Sequence, residues 1–254
     1  MSASSNSARS LFFRLLERCL TRDLFPDASW HFTLTEVYPF DRESRQNGRD
    51  WPTEAETMVG LKRLQNLEWC VSRVIEDRVP GDLVETGVWR GGCAILMRAV
   101  LAAYGETDRL VWLADSFEGL PAADPATYPR DAGDTHADLK PYLGVGIEIV
   151  QQNFRNYELL DSQVRFLKGW FRHTLPTALI DKIAVLRLDG DMYESTYVAL
   201  HALYPKLASG GFVIIDDYGA LSSCRAAVQD YRIKHGITEP PIEIDWTGVY
   251  WRKT

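Results

Sequence analysis

The 254-residue chain contains no run of five or more basic residues, and its 28 Lys and Arg face 35 Asp and Glu, for a formal net charge of −7. A surface built for a polyanion needs a clustered cationic excess, so general nucleic-acid binding is excluded. Four cysteines, Cys19, Cys70, Cys93 and Cys224, form no C-x-x-C pair and repeat no spacing. They read as reduced thiols. No 18-residue apolar run is present, and no basic segment leads into an apolar one. Neither a membrane span nor an export signal is therefore expected, and the cytoplasm is the expected location. Repeats with a period of about 20–50 residues are also missing, which excludes solenoids and propellers. With 46% hydrophobic, 11% aromatic and 25% charged residues the composition is that of a folded protein. A chain of this length buries roughly 70–75% of its unfolded surface, so a single domain over 1–254 is expected without staples.

The small-polar start, Ser2 to Ser7, should fray. Leu11–Leu20 has apolar residues at helical spacing, with Arg14, Glu17 and Arg18 on the other face. Asp41 to Trp51 is polar and without period, an exposed loop that Trp51-Pro52 closes. Residues 1–52 thus read as an N-terminal helical or cap extension, and 53–254 as the core of the fold. Its aromatic-rich segment Leu24–Phe40 lies outside the core pattern, which suggests a subunit contact or a cap, and a homo-oligomer, a dimer, is expected. A helix through Met58, Leu61, Leu64, Leu67 and Val71 follows a Thr53-x-x-Glu56 capping-box pattern. Short β-rich runs then alternate with helical patterns: Leu83–Thr86, Leu110–Ala114, Val164–Leu167, Ala184–Leu188 and Phe212–Ile215, with helices over Gly91–Ala103, Gly146–Tyr157 and Ser195–Leu207. Such alternation implies an α/β fold, a mostly parallel sheet with helices on both faces. At the end, Ile242 to Trp251 is split by Thr247-Gly248 and should add an antiparallel hairpin. Leu120 to Val145 is rich in Pro, Gly, Asp and Ala, and a connection of that length is expected to be a lid or binding loop.

Ligands of open α/β sheets bind beyond the carboxyl ends of the strands. The first run ends in Glu85-Thr-Gly87-Val-Trp-Arg-Gly91-Gly92, an E-x-G-x-x-x-G-G pattern rather than the dinucleotide fingerprint. Such a turn serves either a ligand that approaches the backbone or simply a sharp bend. The second ends at Asp115, which could hold the ribose of a nucleoside cofactor or cap the next turn. Two further runs end in Asp189-Gly-Asp191 and Asp216-Asp217. Two bare charges about 5 Å apart repel by roughly 3 kcal/mol at an effective dielectric near 20, so protons stay on or a cation sits among them. Carboxylate oxygens suit Mg²⁺, Ca²⁺ or Mn²⁺. The plainer alternative is that Asp216 and Asp217 cap a helix and Asp191 faces solvent.

Val84-Glu-Thr-Gly-Val-Trp-Arg-Gly-Gly92, Ala114-Asp-Ser-Phe-Glu-Gly119, Arg165-Phe-Leu-Lys-Gly-Trp-Phe171, Leu186-Arg-Leu-Asp-Gly-Asp191 and Phe212-Val-Ile-Ile-Asp-Asp-Tyr218 occur in this order. Together they resemble the macrocin O-methyltransferase (TylF-type) family, over about Leu11 to Arg252. That resemblance implies a class I, Rossmann-like S-adenosylmethionine-dependent methyltransferase fold with seven strands and a lid insert over about 120–145. It implies methylation of a sugar hydroxyl on a small-molecule glycoside, a macrolide or aminocoumarin type of natural product, in antibiotic biosynthesis, with Mg²⁺. Glu85 and Gly87 would line the amino-acid part of the cofactor, Asp115 would hold the ribose, and Ser116 would border the adenine. Gly169 and Trp170 would close the adenine side. Thr57 and Met58, just inside the upstream helix, would lie against the methionine portion. Asp189, Asp216 and Asp217 would ligate the metal, and Asp191 would be the general base. His136, Tyr142, Glu36 and Tyr38 are candidate acceptor contacts, each weighed against a plain surface or packing role. Three rivals stand beside this reading: a catechol or other vicinal-diol O-methyltransferase, an NAD-dependent dehydrogenase, and a non-catalytic carbohydrate-binding module.

Overall fold

The computed structural model describes residues 3–254, with side chains from Ala8 onward. Helix α1 (Ala3–Leu20) begins well before Leu11, so the start expected to fray is helical from Ala3, while Ser2 lies outside the described residues. Phe13, Leu16 and Leu20 of α1 are buried, and Leu11, Phe12 and Leu15 are exposed. Glu17, expected on the polar face, is buried, and its carboxyl is pushed up to about 7 by burial and by Glu68.

Seven strands form the main sheet: β1 (Asp82–Thr86), β2 (Val111–Asp115), β3 (Val164–Lys168), β4 (Ile183–Leu188), β5 (Leu207–Ile215), β6 (Ile242–Glu243) and β7 (Val249–Arg252). Their spatial order is β3-β2-β1-β4-β5-β7-β6. The first five are parallel, and the terminal hairpin adds β7 antiparallel to β5 and the two-residue edge β6. The register sets Thr86 beside both Ala114 and Leu188, and Leu188 beside Ile215. Four strands consequently end at one rim, and strand order reverses there between β1 and β4, where open sheets hold ligands.

Helices α2 (Leu61–Glu76), α3 (Gly92–Tyr104) and α4 (Ile147–Asn156) join α1 around one apolar cluster that includes Leu64, Ile95 and Phe154. On the other face α5 (Tyr193–Leu203) and α6 (Ser222–His235) pack Leu200, Leu203 and Val228 against Val84, Leu186 and Val213. Every residue of β4 is buried, as a central strand covered on both faces requires. Among the described residues, no helix is long and apolar enough to cross a membrane.

Four details differ from the sequence reading. The capping box does not form, because residues 53–56 are tied sideways. Thr53 Oγ1 and the amides of Glu54 and Ala55 donate to Asp27 Oδ2, and the Glu56 carbonyl accepts from Gly92 N. Helix α2 starts seven residues later than that pattern implies, with Gly60 rather than Thr53 at its N-cap, so Thr57 and Met58 lie in the preceding loop and not inside the helix. Helix α5 begins two residues before Ser195 and ends at Leu203, because Leu207 already belongs to β5. Short strands at Ser29–Trp30, Val37–Tyr38 and Trp51–Pro52 also pair into a small antiparallel sheet.

Candidate functional site

The rim of the sheet opens into a cavity of about 330 Å³. Thr57, Met58, Glu85, Gly87, Asp115, Ser116 and Trp170 line it, whereas Gly169 stands behind the wall and donates its amide to the Asp115 carbonyl at 2.8 Å. Glu85, 1% exposed at the end of β1, accepts from Arg187 Nη1 at 2.8 Å through Oε1. Its other oxygen, Oε2, is buried and has no hydrogen-bond partner among the described residues. Burial pushes this carboxyl up to about 8, against the pull of Arg187 and with the help of Asp189. Gly87 has φ of +79°, and a Cβ there would sit 1.6 Å from the Asp189 carbonyl oxygen, so only glycine fits between β1 and β4.

Asp115 ends β2 and takes the turn-capping part of its two alternatives, while its place on the cavity wall leaves the ribose part open. Its oxygens accept the amides of Val88 and Phe117 at 2.7 Å each, which holds the glycine turn and its own turn in place, and it also faces the cavity. Burial raises its pKa in spite of these bonds. The Ser116 hydroxyl is already engaged, donating to the Gly119 carbonyl at 2.6 Å.

Elsewhere on the cavity wall, Asp189, Asp191 and Asp217 each place an oxygen within 4.8 Å of the others. Asp189 Oδ2 accepts from Arg187 at 2.9 Å, and Asp217 Oδ2 accepts the Asp191 amide at 3.2 Å. Burial and mutual repulsion push Asp189 up to about 7. Burial raises Asp191 to about 6, against the attraction of His136. Asp217 is raised well above the usual carboxylate range by burial and by its three acidic neighbours. Asp191 also holds a left-handed φ of +57°, a strained backbone for a residue with a side chain.

Asp216, expected in the ligand set, is placed differently. Its two oxygens form short ion pairs with Arg187 and Arg63, and Arg63 Nε continues to Asp245 at 3.1 Å. Burial alone would raise its pKa, but the two guanidinium groups outweigh burial and lower it. The carboxylates whose oxygens converge are Asp189, Asp217 and Asp191, and Asp216 pairs with Arg187 and Arg63 instead. The helix-cap alternative for Asp216 and Asp217 is not what their side chains do.

Sequence reasoning passed over Arg63 and Arg187. A signal for the second was available: an arginine inside the apolar run Ala184–Leu188, covered on both faces, has to be paired with acid. Arg63 meets Asp216 across 153 positions of sequence, and no local pattern announces that.

The segment 120–145 lies over the cavity through Leu120, Pro121, His136, Leu139 and Leu143. His136 Nδ1 lies 2.8 Å from Asp134 Oδ2. Burial would lower its pKa, but Asp191 and Asp134 together raise it. Tyr142 is a packing residue rather than an acceptor contact: it stacks on Trp51 with centroids 4.9 Å apart, and its hydroxyl donates to the Pro52 carbonyl. Glu36 and Tyr38 are exposed, bond to each other at 2.9 Å and do not line the cavity. From the N-terminal extension it is Gly48 to Trp51, not Leu24–Phe40, that reaches the cavity.

Residues 18–253 match the macrocin-O-methyltransferase (TylF) family. The chain is 53% identical over 250 residues to the 8-demethyl-8-(2,3-dimethoxy-alpha-L-rhamnosyl)-tetracenomycin-C 4'-O-methyltransferase of Streptomyces olivaceus, covering 98% of this chain and 95% of that one. It is 46% identical over 256 residues to the mycinamicin III 3''-O-methyltransferase of Micromonospora griseorubida, covering 99% of each. Its fold superposes on that of the O-methyltransferase NovP with a TM-score of 0.92 and 49% identity, over 96% of this chain and 99% of the other.

Proposed function

The chain belongs to the macrocin-O-methyltransferase family and has the class I S-adenosylmethionine-dependent methyltransferase fold. From this premise we propose that it transfers the methyl group of S-adenosylmethionine to a sugar hydroxyl of a glycosylated natural product, with a divalent cation, Mg²⁺, as its partner. The relatives are named for such acceptors, a rhamnosyl tetracenomycin and a mycinamicin among them. Family membership removes the dehydrogenase and the non-catalytic binding module, and the relatives' acceptors favour a sugar over a catechol.

The observation that carries the proposal is the carboxylate cluster at the open end of the donor cavity. Its oxygens are hard ligands, and their raised pKa values register an excess of negative charge that a cation would offset. Asp189 and Asp217 would hold the ion, since Mg²⁺ is satisfied by one or two carboxylates plus substrate and water oxygens. When bound, the ion supplies Lewis acidity toward the acceptor oxygens. S-adenosylmethionine supplies an electrophilic methyl on a sulfonium. The chain's own groups suit that donor: the unpartnered Oε2 of Glu85 can accept from its ammonium, Asp115 has room to accept from ribose hydroxyls, and the Gly87 turn leaves space for close approach.

A sugar hydroxyl holds its proton far above neutral pH, so a base must take it as the oxygen attacks. We assign that step to Asp191. It adjoins Asp189 and Asp217, and its charge is offset by His136 from the lid. Arg187 fixes Asp189, Glu85 and Asp216 relative to one another, which joins the donor and acceptor halves of the cavity. Leu139 and Leu143 of the lid line the cavity and would keep water from it during transfer. The exposed Leu11, Phe12 and Leu15 of α1 support the dimer in this reading, which analytical ultracentrifugation would test.

The test of the function is methyl transfer from labelled S-adenosylmethionine to a panel of deoxysugar glycosides and catechols, with Mg²⁺ and with chelator. Transfer to a glycoside that stops in chelator is expected. Transfer to catechols alone would overturn the acceptor class.

A further inference from the structure

Beyond the cavity, a second and more open recess is lined by Thr127, Tyr128, Pro129, Arg130, Tyr193 and Tyr197. One wall comes from the lid and the other from the first turns of α5. The two walls are fixed together: the Asp131 carboxylate, 1% exposed, accepts the amides of Tyr193 and Glu194 at 2.7 and 2.9 Å. Tyr193 and Tyr197 stack with centroids 5.4 Å apart and planes 14° from parallel, and Tyr128 lies 6.2 Å from Tyr193. The Tyr193 hydroxyl donates to Asp230 at 3.0 Å, and Arg130, 60% exposed at its side chain, lies 3.8 Å from the same carboxylate. The tyrosines are half-buried; Tyr197 also packs against His201, with ring centroids 4.0 Å apart, so the recess offers Tyr128 and the outer edge of Tyr193 beside the Arg130 guanidinium.

Helix geometry links this recess to the reaction. Glu194, Ser195 and Val198 of α5 line the main cavity, and Tyr193 and Tyr197, one turn apart on the neighbouring face, line the recess. Tyr193 follows Asp191 by two residues. A sugar whose hydroxyl meets Asp191 can therefore carry a substituent over the first turn of α5 and onto the tyrosine rings. Flat aromatic groups stack on such rings and pair with guanidinium planes, whereas the sugar ring is already served by the polar cavity.

We propose that the recess is a distal acceptor subsite that binds the planar, apolar part of the aglycone and sets acceptor preference without touching the chemistry. This rests on the sugar O-methyltransferase reading and deepens it. The probes are methyl α-L-rhamnoside and 2-naphthyl α-L-rhamnoside, with binding read from naphthyl fluorescence and from competition, and methyl transfer read separately. Wild-type protein is expected to bind the naphthyl glycoside about 5-fold or more tightly than the methyl glycoside, the size of one or two aromatic stacks. Tyr128→Ala should remove that preference while affinity for the methyl glycoside and the melting temperature stay near wild type, and Arg130→Ala, an exposed change that leaves the fold intact, should weaken it. Equal affinity of wild type for the two glycosides would overturn the inference, and so would a preference that survives both variants. Lack of methyl transfer to every glycoside, with the binding preference intact, would count against the function alone, so the two failures are distinguishable.

Discussion

Replacement of Arg187 by Met probes the joint between the two halves of the site. The guanidinium, 3% exposed, contacts Glu85 at 2.8 Å, Asp189 at 2.9 Å and Asp216 by a short ion pair. Methionine fills much of the volume but leaves the buried carboxylates of Glu85 and Asp216 and the half-buried one of Asp189 facing one another. Removing one partner of a buried ion pair costs about 3–5 kcal/mol, and a protein of this size loses about 2–4 °C of melting temperature per kcal/mol. Arg187→Met should therefore melt roughly 10 °C below wild type in chelator near neutral pH. The deficit should also depend on pH. An acid whose folded pKa lies above its unfolded value favours the folded state at low pH, and that contribution is lost as pH rises toward the folded value. Glu85, raised from 4.5 to about 8, and Asp189, raised from 3.8 to about 7, already behave this way, and loss of the guanidinium raises them further. The gap between variant and wild type should thus stay level up to about pH 7 and widen above it, as the wild-type acids ionise and those of the variant do not, read by calorimetry from about pH 5 to about pH 9. A variant that melts within about 2 °C of wild type, or a gap that stays constant with pH, would refute the view that Arg187 neutralises this cluster.

Asp191→Asn should lower kcat by about 10²-fold or more, the usual worth of a general base, while calorimetric Mg²⁺ affinity changes little; loss of ion binding would make Asp191 a ligand instead. Thermal stabilisation by Mg²⁺ should be small near pH 5 and grow toward pH 8, because the ion must displace protons from Asp189, raised to about 7, and from Asp217, raised well above the usual carboxylate range. A pH-independent stabilisation would place the ion elsewhere. Gly87→Ala should abolish S-adenosylmethionine binding in equilibrium dialysis and lower the melting temperature, since its Cβ would collide with the Asp189 carbonyl; tight donor binding by this variant would contradict the close β1–β4 approach.

The parallel sheet was legible because each strand is a short apolar run closed by glycine or acid, and its order of use followed from the position of those closing residues. What was hidden depended on contacts distant in sequence. Asp216 reads as a metal ligand from its motif, and only folding brings Arg63 and Arg187 to its two oxygens. Thr57 and Met58 sit at helical spacing, but Asp27 and Gly92 hold the preceding segment in a loop. The first half of β5 went unread because Gly210 and Gly211 interrupt its β-like pattern; Gly210 takes φ of +83° and donates to the Lys253 carbonyl. Tyr142 lies in a segment with weak periodicity, so its stacking on Trp51 has no local signature.

The cation site is tested most directly by titrating Mg²⁺ into chelator-stripped protein near pH 8, wild type against Asp189→Asn. One ion per wild-type chain, bound with release of protons, and none in Asp189→Asn is the expected result. Equal binding by the two proteins, or no binding by either, would contradict a cation held between Asp189 and Asp217.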